Sequence, residues 1–181
     1  YLSKYLFIFS GAVDLYGLTF GTNSPLNICE KIYLQDLEPE DVNQIVSQFE
    51  TLNVPVAQGA AEAVHALTAG HPYLTVRLCA LMEIAQVSQV TVQTVQEAAA
   101  QMLVEDDNIR HLLHELENLP AARHRLYTIL FEQAKIPFSR NNPTLASLEM
   151  IGAIKPSQPC RVRNKLYARA LEQYFVGREE N

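Results

Sequence analysis

The sequence predicts a mainly α-helical protein with a few β-strands. Apolar residues recur at the i, i+3, i+4, i+7 spacing of amphipathic helices through most of the 181 residues. Proline or glycine separates one such segment from the next, whereas stretches with the pattern of a β-strand are short and few. Apolar residues make up 48% and charged residues 19%, which is typical of a folded protein rather than a disordered one.

Two strand-like stretches are found in residues 1–37. Residues 6–9 form a continuous apolar run, the pattern of a strand buried on both faces of a parallel sheet, and the run stops at Ser10 and Gly11. Residues 28–34 alternate apolar with polar side chains, which indicates a second short strand. Because the chain opens on β-forming residues without a methionine, we expect further sequence upstream of Tyr1.

Four amphipathic helices are predicted in residues 38–104. Proline stands in the first turn of the first and third helices, where its missing amide costs nothing, and Gly70 supplies a left-handed stop for the second. The links between these helices are short, so we expect them to form a four-helix bundle. The four predicted helices begin near Glu38, Gln58, Pro72 and Thr91.

A charged break at residues 105–107 is the predicted boundary to a second module, residues 105–181. Its predicted helices cover residues 109–119, 121–134, 145–151 and 164–176. Two β-like stretches, residues 153–155 and 160–162, flank a turn that contains two prolines. Helices followed by a hairpin with a proline-rich tip are the element order of a winged-helix domain.

Charge divides unevenly between the two parts of the chain. Residues 1–107 hold 3 basic and 13 acidic side chains, whereas residues 108–181 hold 11 basic and 7 acidic side chains. Modules of opposite charge attract each other, or bind different partners.

The cysteines and the apolar runs indicate where the protein resides. Cys29, Cys79 and Cys160 are odd in number and widely spaced, which predicts reduced thiols and a cytoplasmic protein. No apolar run approaches the roughly 18 residues of a membrane span, so we expect no membrane contact.

Catalytic motifs are missing from this chain. None of the 7 glycines is followed by lysine, so the phosphate-binding loop Gly-x-x-x-x-Gly-Lys-Ser/Thr is absent. An apolar run ending in two acids, which would hold magnesium, is absent as well. His111 and His114 share a helix face but lack the zinc-protease spacing and a third ligand. We therefore assign no catalytic residue and no metal site, and the chain alone is not expected to act as an enzyme.

Three segments together resemble the AAA-like module of bacterial STAND-class signalling ATPases. Residues 9–16 resemble the strand and loop in which such ATPases carry a nucleotide-sensing residue, and Ser10 and Gly11 would be that sensor-like loop. Residues 24–28 and 32–37 resemble the last core strand and its exit into a helical lid. Residues 70–75 are similar to the Gly-x-Pro motif of the lid, whose proline lies against the adenine base in the family.

The resemblance implies an organisation and a ligand. Residues 1–37 would be the C-terminal end of a P-loop ATPase core, residues 38–104 the helical lid and residues 105–181 a winged-helix domain. ATP or ADP would be the cofactor, with Mg²⁺ supplied from an upstream part, and Gly70, His71 and Pro72 would lie on the adenine side. Two departures argue against direct phosphate sensing: Ser10-Gly11 replaces a basic sensor, and the winged-helix region lacks Met-His-Asp.

The leading hypothesis is a regulatory segment of a STAND-type ATP-binding switch, which closes over nucleotide and contacts other domains of the same protein, with a homo-oligomer on activation. A winged-helix nucleic-acid-binding module is one alternative, since basic residues crowd the wing: Arg161, Arg163, Lys165 and Arg169. Against it, the candidate recognition helix, residues 145–151, is apolar and contains Glu149. A non-catalytic protein-interaction adaptor is the other alternative, and a phosphate-binding loop in the parent protein would exclude it.

Overall fold

The computed structural model describes residues 35–179. Contacts within the chain divide it into two units, residues 1–34 and residues 35–181, and the second is the one described here. The strands predicted before residue 35, together with Ser10 and Gly11, lie outside the described residues. The helices and strands of the described part are α1 (Pro39–Thr51), α2 (Ala60–Thr68), α3 (Pro72–Ile84), α4 (Val92–Glu105), α5 (Asp107–Glu117), α6 (Pro120–Leu130), α7 (Pro143–Met150), β1 (Ile154–Lys155), β2 (Arg161–Val162) and α8 (Lys165–Glu179).

Helix starts follow the local signals of the sequence. Proline is the first residue of α1, α3, α6 and α7, where its fixed φ suits the first turn. Thr91 caps α4 by accepting from the backbone amide of Thr94 at 3.1 Å. Asn142 caps α7 in the same way, accepting from the amides of Thr144 and Leu145 at 3.0 and 3.2 Å. At these helix starts, either a side chain accepts a hydrogen bond from an amide that has no partner in the helix, or a proline removes one such amide.

One helix is shorter than its apolar periodicity predicts. The helix expected to reach Ala134 ends at Leu130, because Gln133 takes a left-handed φ of 50° and the chain leaves the helical path. The following segment runs along the hairpin instead. There the amide of Cys160 donates to the carbonyl of Ile136 at 2.8 Å, and Gln158 bonds both the amide and the carbonyl of Phe138.

The described part is mainly helical with one small sheet. Strands β1 and β2 pair antiparallel, with Ile154 opposite Val162 and Lys155 opposite Arg161. This confirms the predicted hairpin at residues 153–155 and 160–162, and the helices confirm the mainly α class. None of the helices in residues 35–179 combines the length and the hydropathy that crossing a membrane requires.

The buried apolar side chains between Val42 and Phe175 form a single core. Two helix groups share it: the first group is α1–α4, residues 39–105, and the second group is residues 107–179, with α5–α8 and the hairpin. Helix α8 joins them, because it contacts α2 and α4 as well as α5, α6 and β2. Leu166 and Leu171 of α8 are fully buried, and each such leucine stabilises the fold by roughly 1.5–3 kcal/mol.

Candidate functional site

The turn between α2 and α3 carries the Gly-His-Pro motif and is built on two buried threonines. Thr68 and Thr75 are fully buried, and the Thr75 hydroxyl lies 3.0 Å from that of Thr68. The Thr68 hydroxyl also donates to the carbonyl of Val64 at 3.0 Å and accepts from the amide of Gly70 at 3.3 Å. A turn whose polar groups are paired inside the core has few alternative conformations.

Gly70 lies in contact with the backbone of the segment that precedes α1. Its φ is +75°, and the amide of Leu37 donates to its carbonyl at 2.7 Å. A Cβ atom at this position would collide with the carbonyl oxygen of Leu37. Glycine is therefore required here by the left-handed conformation and by the close approach of Leu37. Within the described residues, the group that approaches Gly70 is this backbone.

His71 is the N-cap of α3, and its side chain is neutral at pH 7. The amide of Leu74 donates to its Nδ1 at 3.5 Å, and its ring meets that of Tyr167 edge-on, with centroids 5.9 Å apart. Burial lowers the pKa of His71 to about 4, and the Arg163 charge lowers it too, while the Asp36 charge opposes the shift. A neutral imidazole is the form that can accept a hydrogen bond from the helix amide.

Asp36 is the acidic centre of the same region. Its carboxylate lies 2.7 Å from Lys155 Nζ and 2.9 Å from Arg163 Nη2. Lys155 is in β1, and Arg163 directly follows β2. Burial raises the pKa of Asp36, but the hydrogen bonds and charges of Lys155 and Arg163 outweigh it and hold that pKa below its usual value. The carboxylate is thus ionised at neutral pH, and it fixes residues 36–37 to the hairpin.

Replacement of His71 by asparagine, which keeps an N-cap acceptor, should flatten the pH dependence of stability between pH 6.5 and 4. In this range the unfolded chain binds a proton that the folded His71, with a pKa of about 4, does not bind. Stability therefore falls as the pH falls, by at most about 1.4 kcal/mol per pH unit, and by less because the ring is part exposed. Asp36 has a lowered pKa, so it acts below this window, as the pH falls through that value.

Urea unfolding at several pH values checks this expectation. His114→Asn is the control, because His114 is exposed on α5. Equal slopes for the wild type and His71→Asn would contradict it.

Pro72 points away from the core, unlike the two residues before it. Gly70 is buried and His71 half-buried, whereas Pro72 is exposed. Tyr73 and Val76, in the first turns of the same helix, are 43% and 54% exposed. The start of α3 therefore presents an accessible apolar surface of Pro72, Tyr73 and Val76 above a fixed turn.

Asp106 is a buried structural residue whose contacts sequence reasoning missed. The sequence places it in a charged break, yet it is only 4% exposed. Its Oδ1 accepts from the amides of Asn108 and Ile109 at 3.0 and 3.3 Å, which caps α5. Its Oδ2 accepts from Tyr73 Oη at 3.0 Å and Arg77 Nε at 3.3 Å, both on α3. An aspartate just before an apolar helical pattern is an N-cap signal, and that signal could have identified it.

The basic residues of the hairpin and α8 are in part engaged within the fold. Arg163 pairs with Asp36, and Arg169 Nη1 donates to Gln96 Oε1 at 3.0 Å. Arg161 and Lys165 are exposed. Among residues 35–179 no group of three His, Cys, Asp or Glu side chains is arranged to hold a metal ion. His111 lies 4.0 Å from Glu115 on the accessible face of α5.

A family model decides what kind of domain this is. Residues 3–176 match the model described as an AAA-like domain. The chain belongs to the AAA-like domain family. The match covers most of the 181 residues, including the Gly70–Pro72 turn, Asp36 and Asp106. No curated protein matches the chain.

Solved structures with some likeness to this AAA-like domain come from one bacterial protein. They are the RuvB Holliday junction branch migration motor of Thermotoga maritima and two single-residue mutants of it. For the motor the TM-score is 0.38 at 16% identity, over 75% of this chain and 49% of the other. The chain thus spans about half the length of these structures. The family match alone carries the assignment.

Proposed function

We propose that this AAA-like domain is the regulatory segment of a STAND-type ATP-binding signalling switch. In this proposal residues 1–37 end the P-loop core, residues 38–104 form the lid and residues 105–181 form a winged-helix domain. The segment closes over ATP or ADP, with Mg²⁺ held by an upstream part of the protein. The other domains of the same cytoplasmic protein are its partners, and activation leads to a homo-oligomer.

The observation that carries the proposal is the fixed turn at residues 70–72 with Pro72 exposed at its end. The buried threonine pair and the contact with Leu37 hold the turn in place, so the proline ring is presented in one orientation. A proline at a helix start has no amide hydrogen to satisfy, and its ring offers an apolar contact for a purine face. We therefore place Gly70, His71 and Pro72 on the adenine side of the nucleotide.

Replacement of Pro72 by alanine should weaken binding of a fluorescent ATP analogue by about four- to fifteenfold. The loss corresponds to one or two buried methylene groups at about 0.8 kcal/mol each, and alanine preserves the helix start. The analogue is titrated into the whole natural protein that contains this sequence. Pro120→Ala is the matched control, because Pro120 begins α6 in the same exposed way. No saturable binding by the wild type, or equal weakening by both variants, would contradict the proposal.

The geometry favours protein contacts over nucleic-acid reading. Helix α7 is the candidate recognition helix, and its Glu149 is held by Arg140 through two contacts of 3.0 and 2.7 Å. Two of the four basic residues near the wing, Arg163 and Arg169, are engaged inside the fold. A groove-reading helix should offer free basic or polar side chains instead. If the natural protein binds no nucleotide, the adaptor function takes the place of the switch.

A further inference from the structure

Along the chain, a single residue connects the two helix groups, and we call this connection the joint. Helix α4 ends at Glu105 and α5 begins at Asp107, so Asp106 is all that lies between them. Its carboxylate is buried and binds both sides of the joint, with Oδ1 on the α5 amides and Oδ2 on Tyr73 and Arg77 of α3. Hinges absorb large φ/ψ changes in a few residues, and a buried residue held by donors on both sides is poorly suited to that role.

Helix α8 is the second connection, because this helix of the second group packs against α2 and α4 of the first. Its Tyr167 lies against His71 of the first group. Within the second group, the Tyr167 hydroxyl donates to Asn108 Oδ1 at 2.6 Å, which helps to hold this ring in place. Two residues later, Arg169 Nη1 donates to Gln96 Oε1 on α4. Leu166, Ala170 and Leu171 of the same helix are buried in the shared core. Separation of the groups would expose this apolar surface, at about 25 cal/mol per Å².

The ion pairs of Asp36 are the third connection between the two helix groups. This residue precedes α1 of the first group, and both its partners, Lys155 and Arg163, belong to the hairpin of the second. The neighbouring Leu37 is bonded to Gly70. Residues far apart along the chain therefore hold the two groups together at three places: the Asp106 joint, helix α8 and the Asp36 contacts.

We infer that the two helix groups form one rigid body, and that no opening occurs between them when the protein switches. The inference rests on the proposed function only where it concerns switching: movement driven by nucleotide or signal carries residues 35–179 together. A winged-helix module that swings away from its lid would have to break all three connections at once. Residues 35–179 move as one unit, and the contacts between the two helix groups are kept.

The test measures a distance across the joint in the whole natural protein. Spin labels are attached at Ala66→Cys on α2 and Ala121→Cys on α6, both exposed positions, and the distance is read by pulsed electron paramagnetic resonance. Native cysteines are first replaced by alanine, namely Cys29, Cys79 and Cys160. Measurements are made without nucleotide, with ADP and with a non-hydrolysable ATP analogue, each at low and high salt, since salt screens the Asp36 contacts. A second label pair, Ala66→Cys and Ala100→Cys, lies within the first group and gives the width of the distance distribution expected for a rigid pair.

One distance that is unchanged in all conditions, and as narrow as in the control pair, supports the rigid body. A second, longer distance in any condition overturns it. Nucleotide binding is measured on the labelled protein by displacement of the fluorescent analogue. Absence of binding would remove the switch function, while the distances with and without salt would still decide whether the joint opens.

Discussion

Replacement of Gly70 by alanine should lower the free energy of unfolding by about 3 kcal/mol. A non-glycine residue at a left-handed φ costs roughly 1–2 kcal/mol, and the φ of Gly70 is +75°. The new Cβ also collides with the carbonyl oxygen of Leu37, so the chain must shift and weaken the hydrogen bond from Leu37 to Gly70. A buried hydrogen bond of this kind contributes roughly 1 kcal/mol. Urea unfolding monitored by circular dichroism measures the loss.

Gly59→Ala separates the two causes. Gly59 also has a left-handed φ, +84°, but a Cβ there meets only Val92 Cγ2 at an ordinary contact distance of 3.7 Å. We expect this variant to lose about 1–2 kcal/mol, which is the conformational cost alone. If Gly70→Ala were no less stable than Gly59→Ala, the close approach of Leu37 would not matter to stability.

Replacement of Asp106 by alanine should cost about 3 kcal/mol as well, for a different reason. Removal of an N-cap side chain costs about 1 kcal/mol, and hydrogen bonds to a charged group are worth roughly 1.5–3 kcal/mol. Asp106 supplies both kinds, one from each carboxylate oxygen. Asp106→Asn keeps the capping oxygen and turns an amide toward Tyr73 and Arg77, so we expect it to lose about 1–2 kcal/mol.

Asp107→Ala is the matched control for the Asp106 variants. Asp107 is the next residue, but its side chain is 87% exposed, and it pairs with Arg110 at the surface at 3.2 Å. A pair of this kind is worth about 0–1 kcal/mol. A loss at Asp107 equal to that at Asp106 would mean that charge near the helix start, rather than the buried connection to α3, stabilises the joint.

The described elements could largely be predicted from local sequence. Pro39 and Pro72 stand in the first turns of helices as predicted. The helices expected from residues 121 and 145 begin one and two residues earlier, at Pro120 and Pro143, and the hairpin lies where two β-like stretches flank a proline-rich turn. Such signals act within one helical turn or across a short loop, so they are legible in neighbouring residues. The end of α6 was misjudged by four residues because apolar spacing continues past Leu130, while the chain turns to pair with the hairpin.

For the candidate site, the sequence by itself singled out residues 70–72 and the AAA-like character. Only the tertiary structure decided what surrounds those residues. Gly70 contacts Leu37, the His71 ring lies against that of Tyr167, and Pro72 is exposed. The structure also shows that Asp106, which the sequence places in a charged break, is buried and binds helices on both sides of the joint. Burial and pairing of this kind depend on side chains far apart along the chain, 127 residues for Asp36 and Arg163, and no local pattern records such a meeting.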